Sequence, residues 1–167
     1  MTENHYGKVQ VKEMGPMRVA CHKAVSATPE EDSIRQMNEW LAGKKLVGPI
    51  RKFGFDVEVK SEQKKAGLRG YEVWAVVPAN VESSESFTIK DFAGGLYAVM
   101  RITDPFTDPF EVIPAGWKRL VEWAKASDEY NIDENPCLEE HVKVDGVDCL
   151  DIHLPVVRKR GQRTSQR

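Results

Sequence analysis

Two neighbouring carboxylates, Glu139 and Glu140, are the residues of this chain whose type and place most suggest chemistry. They fall in an extended stretch, Leu138 to Val144. Alternation along a strand puts Leu138, Glu140, Val142 and Val144 on one face, and Cys137, Glu139, His141 and Lys143 on the other. Glu140 therefore shares its register with apolar residues. Burying an unpaired carboxylate costs several kcal/mol or raises its pKa. Such a group is either paired, aimed at a ligand, or an edge-strand charge that guards against aggregation. A carboxylate can also activate water as a general base, provided a donor orients the substrate carbonyl.

The aromatic residues form the second candidate group. Phe53, Phe55, Tyr71, Trp74, Tyr97, Phe110 and Trp117 lie on extended stretches or near the junctions between them. Their faces suit flat apolar ligands and cations. An aromatic pocket holding one acid is a physical recipe for lipophilic cations. The four histidines, His5, His22, His141 and His153, are dispersed. His141 and His153 lie on facing strands, with Cys137 or Cys149 as a conceivable third ligand, but the spacing does not make a metal site and none is expected. GxSxG, Gly-rich phosphate loop, HExxH and DxDxDG signatures are absent, and no cofactor is expected. Gly94-Gly95 reads as a turn or bulge.

The elements that must carry these residues are legible in part. Thr28-Pro29-Glu30-Glu31 opens a helix with an N-cap, a proline at the first position and an acidic first turn, and Thr28 with Glu31 has capping-box spacing. Ile34, Met37, Trp40 and Leu41 follow at helical spacing, and Gly48-Pro49 stops the pattern. A second helix is expected from about Pro114 to Ser127, with Trp117, Leu120, Val121 and Ala124 on one stripe. Strands are expected at 9–13, 17–25, 56–60, 71–77, 86–92, 96–102, 138–144 and 149–157, the last two joined by Asp145-Gly146, a strong hairpin signal. Each half reads strand, helix, strand, strand, with a short echo between Asn38-Glu39-Trp40-Leu41-Ala42 and Val121-Glu122-Trp123-Ala124-Lys125. The expected fold is α+β: duplicated halves at about 7–80 and 86–157 forming one domain over 1–157, a curved antiparallel sheet with two helices on one face, whose other face needs a cover or a ligand.

Composition bounds the function. The 167 residues are 41% hydrophobic and 30% charged, ordinary for a globular protein. No run approaches the ~18 apolar residues of a membrane span, the N-terminus has no secretory pattern, and three distant cysteines make no disulfide framework, so a cytoplasmic protein without membrane contact is expected. The formal net charge is −2, yet the last ten residues hold five cations and no acid. Without them 19 basic residues face 26 acidic ones. Residues 158–167 are expected to be a basic disordered tail, and the acidic body disfavours nucleic acid as a direct partner.

Several stretches, in order, resemble the GyrI-like small-molecule-binding family, which supplies effector-binding domains to multidrug-responsive transcription regulators such as BmrR and to some AraC-type regulators. They are Phe53-Gly54-Phe55-Asp56, Gly70-Tyr71-Glu72-Val73-Trp74, Ala93-Gly94-Gly95-Leu96-Tyr97-Ala98-Val99, Ile113-Pro114-Ala115-Gly116-Trp117 through Trp123, Pro136-Cys137-Leu138-Glu139-Glu140-His141 and Ile152-His153-Leu154-Pro155-Val156. The resemblance implies a stand-alone member without an expected DNA-binding segment, compatible with a homodimer, whose ligand is a small lipophilic neutral or cationic molecule. It implies a ligand cleft between the halves, lined by Phe55, Tyr71, Trp74, Tyr97 and Trp117. The family's Glu-x-Tyr pattern falls on Glu139-Glu140-His141, with His in the Tyr position; this favours Glu139, whereas alternation favours Glu140. A drug or effector receptor or sequestering protein is the first functional expectation. A hydrolase of cyclopropane-bearing alkylating compounds or related xenobiotics is the alternative, with Glu139 or Glu140 activating water and Tyr97 or Tyr71 orienting the substrate carbonyl as its catalytic set, and a DNA gyrase modulator is a third reading.

Overall fold

The structure, a computed structural model, describes residues 5–160. The chain forms two compact units, one of Pro16–Ala93 and one of Met1–Gly15 with Gly94–Arg167. The elements in chain order are β1 (Gln10–Met14), β2 (Met17–Ser26), α1 (Pro29–Ala42), β3 (Lys52–Val57), α2 (Ser61–Lys65), β4 (Arg69–Val76), β5 (Thr88–Phe92), β6 (Gly95–Thr103), α3 (Pro109–Lys125), β7 (Tyr130–Ile132), β8 (Leu138–Val144) and β9 (Val147–Arg158).

The Pro16–Ala93 unit has the strand order β3-β4-β2-β5, all antiparallel. Ala20, Val73, Ala75 and Val77 face α1, whose Met37 and Leu41 close the core, with Trp40, Leu46, Ile50, Phe87 and Ile89 packed against it. The other unit repeats this order as β8-β9-β6-β1, with the short β7 also on β9. Its core joins Ala98, Met100, Ile102, Leu150, Ile152, Leu154 and Val156 to Val112, Leu120 and Ala124 of α3. The class is α+β, and in each unit the helix follows the strand that carries the edge strand, α1 after β2 and α3 after β6. The edge strands alone break the chain order. β1 precedes β2 but pairs with β6, and β5 precedes β6 but pairs with β2.

Several elements differ from their sequence-based expectation, each for a physical reason. α3 begins at Pro109, because a proline pre-set to helical φ follows Asp108 at the N-cap. Pro114 lies inside the helix, where its missing N–H frees only the Phe110 carbonyl, carried by a residue that is 80% exposed. The capping box at Thr28 does not form. Ser26, Thr28 and Arg35 instead gather on the Asp32 carboxylate. α1 ends at Ala42, short of Gly48-Pro49, and the backbone then turns through Lys45 at φ 52°. β3 lies at Lys52–Val57 and contains Gly54, a residue that reads as a break; here it is needed, because a Cβ would collide with the Tyr71 ring. α2 and β7 are too short to show a period. The Asp145-Gly146 hairpin is as expected, with both residues at positive φ (50° and 80°) and Val144 opposite Val147.

Of the basic segment that begins at Arg158, Arg158 lies in β9 opposite Tyr130, and Lys159 donates from Nζ to the Ser127 carbonyl at 2.7 Å. Residues 161–167 lie outside the described residues. No helix among the described residues is long and apolar enough to cross a membrane.

Candidate functional site

Strand β8 is held in register by the hairpin, and this decides where each glutamate points. Glu139 pairs with Ile152 and so shares the face on which α3 packs; Glu140 pairs with Asp151 and shares the opposite face. α3 approaches its sheet closely at Gly116, where a Cβ would stand 2.5 Å from Ile102 Cδ1 and 3.1 Å from Tyr6 Cε1. That approach brings the next residue, Trp117, to β8. Its indole Nε1–H donates to Glu139 Oε2 at 2.8 Å. The carboxylate, half-buried beside the apolar core under α3, is thereby partly compensated and fixed in direction. His141, two residues on and on the same face, is exposed; its Nε2 lies 3.1 Å from Asp148 Oδ1 and its ring 5.0 Å from that of Phe106. This contact holds the Asp148 carboxyl below its ordinary range.

The opposite face of the same unit carries a buried polar set. Glu140 Oε1 stands 3.9 Å from His153 Nε2, and His153 Nδ1 donates to the Asp151 carbonyl at 2.9 Å. Arg101 clamps the Asp151 carboxylate with two bonds of 2.8 and 2.9 Å. Tyr97 is fully buried there; its hydroxyl donates to the Pro136 carbonyl at 2.9 Å, and burial pushes its pKa up. His141 and His153 thus stand on opposite faces, and no group of three or more metal-ligating side chains occurs among the described residues.

In the Pro16–Ala93 unit the predicted aromatics also divide. Tyr71 lies on the α1 face over Gly54. Trp74 lies on the other face, nine-tenths or more buried, where its Nε1–H donates to Glu72 at 2.7 Å. Phe55 and Phe92 set their rings 5.3 Å from that indole, and Lys90 Nζ sits 4.3 Å over it. Burial pushes the neighbouring Cys21 thiol up to about 11. A groove of about 500 Å³ in this unit is lined by His22, Gln36, Glu39, Trp40, Ser86 and Phe87. Its polar edges are spent internally: His22 on Ser86 and Gln36, the Trp40 indole on Ser84.

Of the predicted site residues, the structure therefore brings Trp117, Glu139 and His141 to one flank. Tyr97 and Glu140 share the reverse face, Phe55 and Trp74 meet in the other unit, and Tyr71 stands apart from those two. Phe106, beside His141, was not among the predicted residues. Its signal is a repeated tripeptide, Asp104-Pro105-Phe106 and Asp108-Pro109-Phe110, that periodicity does not detect.

A unit of strands with one packed helix occurs twice within the chain, which defines its fold class as α+β. The chain belongs to the Cass2 family of integron-associated effector binding proteins, a GyrI-like family, which matches over residues 10–156. That membership gives it a small-molecule-binding role. No curated protein matches the chain. Among solved structures, the C-terminal domain of EcmrR is similar with a TM-score of 0.70 at 13% identity, over 91% of this chain and 98% of that one. The chain spans 58% of the length of EcmrR as seen in its DNA complex. SAV2435 bound to tetraphenylphosphonium matches with a TM-score of 0.52 at 12% identity, over 96% and 98% of the two chains. A hydrolase from Listeria innocua matches with a TM-score of 0.53 at 8% identity, over 90% and 92%. At these identities the likeness concerns the fold.

Proposed function

We propose that the chain is a receptor for lipophilic organic cations, with Glu139 as counter-ion and Trp117 as the group that aims it. The observation that carries this reading is the 2.8 Å bond from the Trp117 indole to a carboxylate standing beside the apolar core under α3. A carboxylate so placed gains from a cation whose remaining surface is apolar. The tetraphenylphosphonium held by SAV2435 is a ligand of this kind and supports the reading. The test is calorimetric titration with tetraphenylphosphonium and with tetraphenylborate, of the same shape and opposite charge. The cation binds and the anion does not; Glu139→Gln weakens the cation by about five- to thirty-fold, the loss of ~1–2 kcal/mol for a partly screened charge pair. Equal binding of both ions, or an unchanged affinity in Glu139→Gln, overturns the proposal.

The pairing of a carboxylate with an N–H donor, together with a fold neighbour described as a hydrolase, favours one second reading, hydrolysis with Glu139 as general base. Tyr97 lies on the face opposite Glu139 with its hydroxyl donated to Pro136, so it does not orient the substrate in this reading, and the Trp117 indole serves only to hold the base in position. Glu139→Gln then spares the binding of a neutral substrate while turnover falls by ~10²–10⁴-fold. Normal turnover in that variant ends the reading.

A further inference from the structure

Two phenylalanines beside the Glu139–Trp117 pair have no role in the core. Phe110 is 80% exposed and Phe106 44% exposed, the two most exposed aromatic side chains among the described residues. Both follow a proline in the twin sequence Asp104-Pro105-Phe106-Thr107-Asp108-Pro109-Phe110-Glu111, which holds three acids and no cation. The first copy forms a 3₁₀ turn entered through Asp104 at φ 52°, and the second opens α3. The turn is pinned to the hairpin, since the Asp104 N–H donates to the Asp148 carbonyl at 2.9 Å.

Both rings are continuous with the pair. Phe110 precedes Trp117 by seven residues, two helical turns, so the two lie on the same flank of α3 about 10 Å apart along its axis. Ile113, half-buried, fills the flank between them. On the strand side, Phe106 stacks obliquely on His141, which shares the β8 face with Glu139. The indole–carboxylate pair thus has an aromatic ring beyond it along the helix and another along the strand, in an acidic surround of Asp104, Asp108, Glu111 and Asp148, the last bonded to His141 and 3.7 Å from Lys143. The exposed area of these two rings adds nothing to the free fold, whereas a ligand that covers it removes that area from water.

We infer that Phe106 and Phe110 are specificity-determining contacts of this site, a second ring-binding subsite that selects multi-ring lipophilic cations over single-ring ones. The inference rests on the cation-receptor reading above. A single-ring cation reaches Glu139 and Trp117 only; a ligand with several rings spans to the phenylalanines as well.

The test compares tetraphenylphosphonium with benzyltrimethylammonium, a cation with one ring, on the wild type and on Phe106→Ala/Phe110→Ala. Melting temperature confirms that the variant is folded, as both side chains are exposed. The variant loses about five- to thirty-fold in tetraphenylphosphonium affinity and less than about twofold for benzyltrimethylammonium. If the variant binds tetraphenylphosphonium as the wild type does, or weakens both cations equally, the subsite is refuted while the receptor reading stands. If the wild type binds neither cation, both fail together.

Discussion

Replacing Gly116 by alanine tests whether close helix–sheet approach is what delivers Trp117 to Glu139. On propensity alone the change stabilises a helix interior by about 1 kcal/mol. Against this, the new Cβ stands 2.5 Å from Ile102 Cδ1, short of the ordinary 3.4 Å contact, and 3.1 Å from Tyr6 Cε1. Ile102 is fully buried, so its terminal methyl has little room to retreat. Overpacking of this kind costs about 1–3 kcal/mol. The net expectation is a loss of about 0–2 kcal/mol, up to ~4–8 °C in melting temperature for a chain of this size. Ile102→Val removes the offending methyl and by itself costs about 0.5–1.5 kcal/mol. The double variant is therefore more stable than the sum of the two single losses by about 1–2 kcal/mol, measured as a double-mutant cycle in urea. Strict additivity refutes the steric argument. So does a Gly116→Ala variant more stable than the wild type by the full propensity gain.

Two further outcomes follow from the ion pairs. Asp32 is held below its ordinary carboxyl range, first by the Ser26 hydroxyl. A depressed carboxyl adds stability that is present above its unfolded pKa and is lost as pH falls through the folded one; Ser26→Ala raises the Asp32 titration midpoint toward the ordinary value, read by NMR, and a midpoint that does not move contradicts the assignment. Arg101→Ala leaves the Asp151 carboxylate, 8% exposed, without its two-pronged partner and costs about 1.5–3 kcal/mol, with the half-exposed guanidinium keeping the loss below that of a fully buried pair; a loss under ~0.5 kcal/mol in chemical denaturation rules this out.

Features written in contiguous residues were legible in the sequence. Thr28-Pro29 starts α1, Asp145-Gly146 turns the hairpin, and alternation places Glu140 on a buried face, where it is 7% exposed. The family resemblance and strand alternation pointed to different glutamates because they answer different questions: alternation finds the side chain withdrawn from water, whereas Glu139 meets a helix that packs 22 residues earlier in the chain. No period encodes that meeting, which depends on Gly116 and on register across β9. Gly54 concealed β3, because a glycine required by a covering ring looks the same in sequence as one that ends a strand. The aromatic set looked like one wall because composition does not say which face a residue joins; Tyr71 and Trp74, three apart on β4, point to opposite sides.

The exchange of edge strands bears on how the chain emerges during synthesis. The Pro16–Ala93 unit is contiguous, so every strand it needs has been made before β6 begins. The other unit is split: β1 is made before the contiguous unit, yet its partner β6 arrives only after the whole of it. Closing so long a loop costs only a slowly growing entropy, about 0.6 kcal/mol for each doubling of length. The harder demand is on β1 while it waits. Its sequence, Gln10-Val11-Lys12-Glu13-Met14, meets that demand with two adjacent charges and a polar first residue, composition that discourages pairing with a neighbouring nascent chain. A strand so poorly marked by hydrophobic alternation is thus fitted to a long delay between translation and docking.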